Sequence, residues 1–100
     1  MRTIPLTPQK SQSFYIDLSG QNCGIRLIQR ESFLYIDLMV NGVPIIQGVP
    51  CLYGNKIVRY RYLGFSGDLF FIDNQGQQDP SYDGLGSRFA LYYIEEGELV

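Results

Sequence analysis

The chain has 100 residues, of which 45% are hydrophobic, a formal net charge of −2, two cysteines and no histidine. This length predicts a single domain, residues 1–100, with enough apolar side chains for a core that needs neither a metal nor disulfides. No apolar run approaches the ~18 residues that cross a bilayer. The N-terminus lacks the apolar stretch of a secretory signal, so we expect a cytoplasmic protein. Without histidine, the commonest general base is absent, which argues against an enzyme.

The first half of the chain predicts a series of short strands. Its apolar residues alternate with polar ones at a period of two, which is typical of strands with one buried face. Three inward-facing rows follow from this pattern: Phe14, Ile16 and Leu18; Cys23, Ile25 and Leu27; and Leu34, Ile36, Leu38 and Val40. Between apolar flanks, Asn41-Gly42 predicts a type I′ hairpin turn, because both central residues need positive φ.

The remaining elements are predicted from proline, glycine and further alternation. Pro44 cannot donate to a ladder, so the return strand 43–49 belongs at a sheet edge or a bulge. Gly54-Asn55 predicts a tight reversal before a strand over 56–62, and another strand is expected over 89–94. Residues 95–100 are predicted to be a flexible acidic tail. Short strands without helical spacing indicate an all-β fold, either a small antiparallel barrel or a sandwich.

Residues 62–88 form the most distinctive segment, with five glycines, four aspartates and a proline. Glycine occupies positive φ or allows a close backbone approach, and aspartate bonds nearby amides in turns, so we expect an ordered, shaped loop. The aspartates lack the alternate spacing and closing glutamate of a calcium loop, and no metal is expected. The positions assigned to loop structure are Gly64, Gly67, Asp73, Gly76, Asp79, Pro80, Gly84 and Gly86.

Charge and aromatic content leave alternatives open. Residues 1–61 hold seven basic and three acidic side chains, whereas 62–100 hold one and seven. This asymmetry either orients the molecule against a partner or vanishes where strands from both halves interleave. Two sparse cysteines, Cys23 and Cys51, are expected to be buried thiols. Tyrosines interleaved with Lys56, Arg59 and Arg61 allow an alternative function, a small barrel that binds single-stranded nucleic acid or a small ligand.

The residues of the distinctive segment also carry a resemblance, which spans about residues 3–93. It rests on Tyr62-Leu63-Gly64-Phe65, then Gly67, Leu69, Phe71, Asp73 and Gly76, then Asp79-Pro80, Tyr82, Gly84-Leu85-Gly86 and Arg88, together with the opening Met1-Arg2-Thr3-Ile4-Pro5-Leu6 and the Val40-Asn41-Gly42 turn. These residues resemble the plug-type baseplate proteins of contractile-tailed, cyanophage-like bacteriophages. The resemblance implies a structural virion protein, assembled in the host cytoplasm, that plugs or braces the junction of hub and tail tube.

The same resemblance sets expectations about partners and contacts. It implies binding to hub, spike, tail tube or tape-measure proteins, a homotrimer in the assembled baseplate, and no catalytic residues, cofactor, nucleic acid or membrane. The residues expected to carry the contacts are Tyr62, Phe65, Tyr82, Leu85 and Arg88, with Arg88 paired to a nearby aspartate. The alternative for these side chains is that they brace the loop from within.

Overall fold

A computed structural model describes residues 1–59 and 63–98 of the chain. The described residues form two antiparallel sheets packed as a sandwich, so the all-β prediction is confirmed and, of its two forms, the sandwich is the one observed. The strands are β1 (Arg2–Ile4), β2 (Ser11–Leu18), β3 (Gln21–Arg30), β4 (Phe33–Val40), β5 (Val43–Pro50), β6 (Asp68–Asp73) and β7 (Phe89–Ile94). Single 3₁₀ turns cover Tyr82–Gly84 and Glu96–Glu98. No helix in the described part is long and apolar enough to span a bilayer.

The larger sheet is a meander of four strands in the order β2-β3-β4-β5. Two-residue turns join its strands, and the pairs next to them are Leu18 with Gln21 and Val40 with Val43. Asn41 and Gly42 have φ of 51° and 84°, the left-handed values that a type I′ turn requires. The predicted hairpin is therefore confirmed.

The core lies between this sheet and the smaller one, whose order is β1-β7-β6. The predicted inward rows of β3 and β4 are confirmed, since all their side chains are buried. The smaller sheet contributes the buried side chains Ile4, Leu69, Phe71, Phe89, Leu91 and Tyr93. Cys23 and Cys51 are buried free thiols, as expected, and burial raises the pKa of Cys23 to about 11.

The strand β5 forms one edge of the larger sheet, which confirms the position inferred from Pro44. Its pairing with β4 shifts register twice, between Ile36 and Met39. At this irregularity the Gly48 amide donates to Asp37 Oδ1 at 2.6 Å, and Gly48 has φ of 64°. The aspartate thus fixes the bulge from the neighbouring strand.

The strand predicted over 56–62 is wrong in the part that the structure describes. Ile57 and Val58 are adjacent and both buried, which a strand with two opposite faces does not explain. The cause lies in Asp68, whose carboxylate accepts hydrogen bonds from the Val58 and Arg59 amides, each at 2.9 Å. Those two bonds replace a regular ladder. Residues 60–62 lie outside the described residues.

Strands from the two halves of the chain share the smaller sheet. The strand β1, which carries Arg2, pairs with β7 from the acidic half. The N-terminal ammonium lies 2.6 Å from Glu98 Oε2. Among the described strands this interleaving is confined to β1, because the larger sheet consists only of strands within residues 11–50. Which of the two alternatives for the charge asymmetry holds stays a prediction. The flexibility predicted for residues 95–100 stays a prediction.

Candidate interaction surface

The segment predicted as one shaped loop is divided in two by β6. Residues 63–67 precede this strand and residues 74–88 follow it, so the two loops lie at opposite ends of β6. The strand pairs with β7 on one side. On its other side, the Gly54 amide donates to Phe71 O and the Ile57 amide to Leu69 O, each at 2.9 Å. The middle of the segment is thus a structural edge strand whose outer side is covered by residues 54–57, and only the two ends of the segment are available as loops.

The longer loop, 74–88, is closed at its base by an ion pair between Asp73 and Arg88. Arg88 Nε and Nη2 donate to the two carboxylate oxygens at 2.8 Å each, which agrees with the predicted pairing of Arg88 with an aspartate. The backbone amides of Gln75 and Gln78 donate to the same carboxylate. These bonds, above all those from Arg88, hold the pKa of Asp73 well below its ordinary value. The Asp73 side chain is fully buried, whereas 30% of Arg88 is exposed.

The rest of the loop is attached at several further points. Asp79 Oδ1 accepts a hydrogen bond from the Tyr53 amide at 2.9 Å, and the neighbouring Pro80 is buried. The Tyr82 amide donates to Gln29 Oε1 at 3.1 Å. Gly86, at φ of 84°, packs against the Leu6 carbonyl so closely that a Cβ would collide with it. A loop held from so many directions presents one shape.

The shorter loop, 63–67, is anchored by aromatic packing and by β7. Phe65 is buried and meets Tyr93 edge-on, with ring centroids 5.7 Å apart. The Tyr93 hydroxyl donates to Ser66 O at 2.7 Å. The Ser66 amide donates to Gln21 Oε1, which ties the loop to the larger sheet as well. This loop therefore connects the two sheets.

The predicted contact residues do not share one surface. Phe65 and Leu85 are buried in the core of this chain, and Tyr62 lies outside the described residues. Tyr82 and Arg88 are half-buried; Lys10 Nζ lies 5.4 Å from the Tyr82 ring centroid. For Phe65 and Leu85 the geometry matches the alternative of internal bracing. The role of Tyr82 and Arg88 in contacts stays a prediction.

Exposed apolar side chains that the contact prediction missed lie on the outer face of the larger sheet. Tyr15 is 73% exposed, and its ring lies beside Gly24 and near Met39 in one row across the sheet. Beside this row, Arg26 and Asp37 form a loose ion pair at 3.8 Å. Together these residues line a shallow depression of about 280 Å³. The sequence carried the signal, because Tyr15 and Met39 occupy outward positions where polar residues are usual.

The tyrosines interleaved with Arg59 and Arg61, Tyr60 and Tyr62, lie outside the described residues, so the nucleic-acid alternative stays a prediction. Tyr93 is buried, and Tyr92 stacks on Phe70 with centroids 5.6 Å apart. Within the described ranges, no three histidine, cysteine, aspartate or glutamate side chains are grouped as metal ligands.

Comparison with known proteins gives one family. Residues 1–96 match the family model described as the cyanophage baseplate Pam3 plug gp18. No curated protein matches the chain.

Proposed function

The chain belongs to the family of the cyanophage baseplate Pam3 plug gp18, and we propose that it plugs and braces the junction between the central hub and the tail tube. The family makes it a structural protein of the phage tail that interacts with other baseplate or tail proteins. The family match over 96 of 100 residues carries this proposal. Beyond family membership, we propose a position in the tail, a set of binding partners and a number of copies.

The way in which the loops are held supports a role that depends on shape. A plug must keep its form under load, and loops 63–67 and 74–88, which flank β6 of the smaller sheet, are tied to β3 of the larger sheet through Gln21 and Gln29. The Asp73–Arg88 pair is protected inside the loop base, which strengthens it relative to an exposed pair. We infer that the loops act as stiff projections, and that contraction of the tail displaces the plug as a unit.

The proposed partners are the hub, spike, tail tube or tape-measure proteins, with three copies of the chain around the tail axis. Tyr82 supports a contact role for the longer loop, because its ring is half-buried next to the Lys10 ammonium. A flat aromatic ring beside a cation suits an interface that is apolar in its centre and polar at its rim. Phe65 and Leu85 would act indirectly, by fixing the loops from inside.

Co-expression with the hub and tail tube proteins of the same phage tests this function. We expect the tagged chain to co-purify with one of them, and electron microscopy of assembled baseplates to show its density on the tail axis. Tyr82→Ala should weaken co-purification by more than its loss of thermal stability explains, since the ring packs only partly against the core. Tyr35→Ala, which changes another half-buried tyrosine on a different surface, is the matched control.

Two results would contradict the proposal. Baseplates that assemble with full occupancy of the axis in the absence of this chain would remove its role as a plug. Salt-dependent binding to single-stranded oligonucleotides, together with no recovery of tail proteins, would favour the binding-barrel alternative.

A further inference from the structure

Four of the described strands lie at sheet edges, and three of these are closed to further pairing. The edge strand β5 carries Pro44, Pro50 and a bulge. The outer side of β6 is bonded by residues 54 and 57, and β1 is only three residues long. Prolines, bulges, covering segments and short strands are the usual protections against pairing with another chain. The fourth edge, β2, has none of them.

The strand β2 is long and regular. It pairs with β3 without interruption from Ser11 with Ile28 to Leu18 with Gln21. The Gln29 backbone amide donates to Lys10 O, just before the strand. Because backbone groups alternate in direction along a strand, the even-numbered residues of β2 bond β3, and the odd-numbered residues direct their backbone groups outward.

The outward groups of this edge are largely unpaired. Arg2 Nη1 donates to Asp17 O at 2.6 Å, at one end of the strand. Among the described residues, nothing bonds the outward amides and carbonyls of Ser11, Ser13 and Tyr15. Three consecutive outward residues therefore offer three donors and three acceptors in strand geometry.

The inward side of the same edge is apolar and incompletely covered. Phe14 and Ile16 face the core but remain half-buried. Their partners across the ladder, Ile25 and Cys23, are buried completely. An added strand with apolar residues at alternate positions would complete the burial of these two side chains.

We propose that this edge pairs with the β2 edge of a second copy of the chain, antiparallel and about a twofold axis. A second copy supplies the same unpaired groups and the same apolar pair, so each side covers the other. Residues 11–16 carry no charge, so like charges do not oppose the pairing. The product is an eight-stranded sheet across two copies.

This state is tested on the free protein by light scattering after size exclusion, over micromolar to millimolar concentrations. We expect the mass to rise from 11.4 kDa towards twice that value with concentration. Ser13→Lys, which places two like charges near the axis, and Ser13→Pro, which removes an outward donor, should each hold the mass at that of one chain. Val43→Lys is the control, since Val43 is exposed on the protected β5 edge.

Amide exchange gives a second readout that does not depend on the variants folding. In the dimer, the amides of Ser11, Ser13 and Tyr15 should become protected with concentration. The amides of Gln12 and Phe14 already bond β3 and should not change. A wild-type chain that keeps one-chain mass and fast exchange at these three amides at every concentration overturns the proposal. So does edge-dependent incorporation into baseplates by a chain that never dimerises, because another protein's strand would then be the occupant. Neither result bears on whether the chain is a plug, because the twofold pair is a state of the free protein, whereas the three copies proposed above belong to the assembled baseplate.

Discussion

Gly64 and Gly67 form a matched pair of positions in the shorter loop. Their φ values are 91° and 96°, so both lie in the region that residues with a Cβ rarely adopt. Their surroundings differ. A Cβ on Gly64 would meet nothing within 4 Å, whereas one on Gly67 would collide with the Ile94 carbonyl and lie 2.7 and 2.8 Å from Tyr93 ring and hydroxyl atoms. Alanine at the two positions therefore shares the backbone strain and differs in steric overlap.

The expected magnitudes follow from these two contributions. Left-handed backbone costs a residue with a Cβ ~1–2 kcal/mol. The reduced freedom of the unfolded chain offsets ~0.4–1 kcal/mol of this. We therefore expect Gly64→Ala to lower the free energy of unfolding by about 1 kcal/mol. At Gly67, Tyr93 and the Ile94 carbonyl must move as well, which disturbs the bond from Tyr93 to Ser66 and adds ~1–3 kcal/mol.

Urea unfolding followed by circular dichroism measures both variants against the wild type. Gly67→Ala should lower the free energy of unfolding by a total of about 2–4 kcal/mol. At an unchanged m-value this appears as a clearly lower urea midpoint. Equal losses at the two positions would refute the reasoning, because the close approach of Gly67 to β7 would then contribute nothing. A Gly67→Ala variant as stable as the wild type would refute it too.

Three further predictions concern acid, thiols and the core. Since Arg88 depresses the pKa of Asp73, the ion pair should stabilise the protein fully above the ordinary carboxyl pKa of ~3.9 and progressively less as pH falls towards the folded-state value. Asp73→Asn should therefore be less stable at neutral pH and lose less between neutral and acid pH, as measured by urea unfolding across pH; an unchanged acid dependence would contradict this. Burial raises the pKa of both cysteines, so Ellman's reagent should react slowly with the folded protein at pH 8 and fast in urea. Leu38→Ala should lower the free energy of unfolding by ~2–5 kcal/mol, while its outward neighbour Met39→Ala should change it within ~0.5 kcal/mol, and similar losses would argue against the assigned faces.

The larger sheet could be predicted because its signals are local. Alternation alone identifies the buried rows of β3 and β4, and Asn41-Gly42 fixes the register of the hairpin that joins β4 and β5. Pro44 lacks a backbone N–H and cannot donate to a ladder, which predicts that β5 lies at an edge of the sheet. Each of these inferences needs only neighbours along the chain or across one turn.

The smaller sheet could not be predicted in the same way, because its pairings join distant residues. The strand β1 pairs with β7, about 90 positions away, and its three residues show no alternation. In β6 the apolar residues are continuous, so no face is distinguished, and the surrounding glycines made the whole segment look like a loop. Asp68 stops the ladder over 57–59 with side-chain bonds that no periodicity reveals.

The residues that carry contacts could not be identified from the sequence either. In a glycine-rich loop, an aromatic side chain or a leucine can contact a partner or pack into the core of its own chain. Phe65 and Leu85 anchor inward, and the ion pair between the buried Asp73 and the half-buried Arg88 does the same with charges. Residues that fix a loop cannot at the same time be its binding atoms. On the proposed function, the contacts of the longer loop fall to the groups that are not anchors, such as Tyr82 and the short polar side chains Ser81 and Asp83, which bond each other at 2.7 Å. Substitutions of the anchors should therefore weaken assembly through loss of loop shape and stability together, whereas Tyr82→Ala should weaken assembly by more than its loss of stability explains, because the ring is only half-buried. That separation, measured on both kinds of variant, distinguishes an interface from a brace.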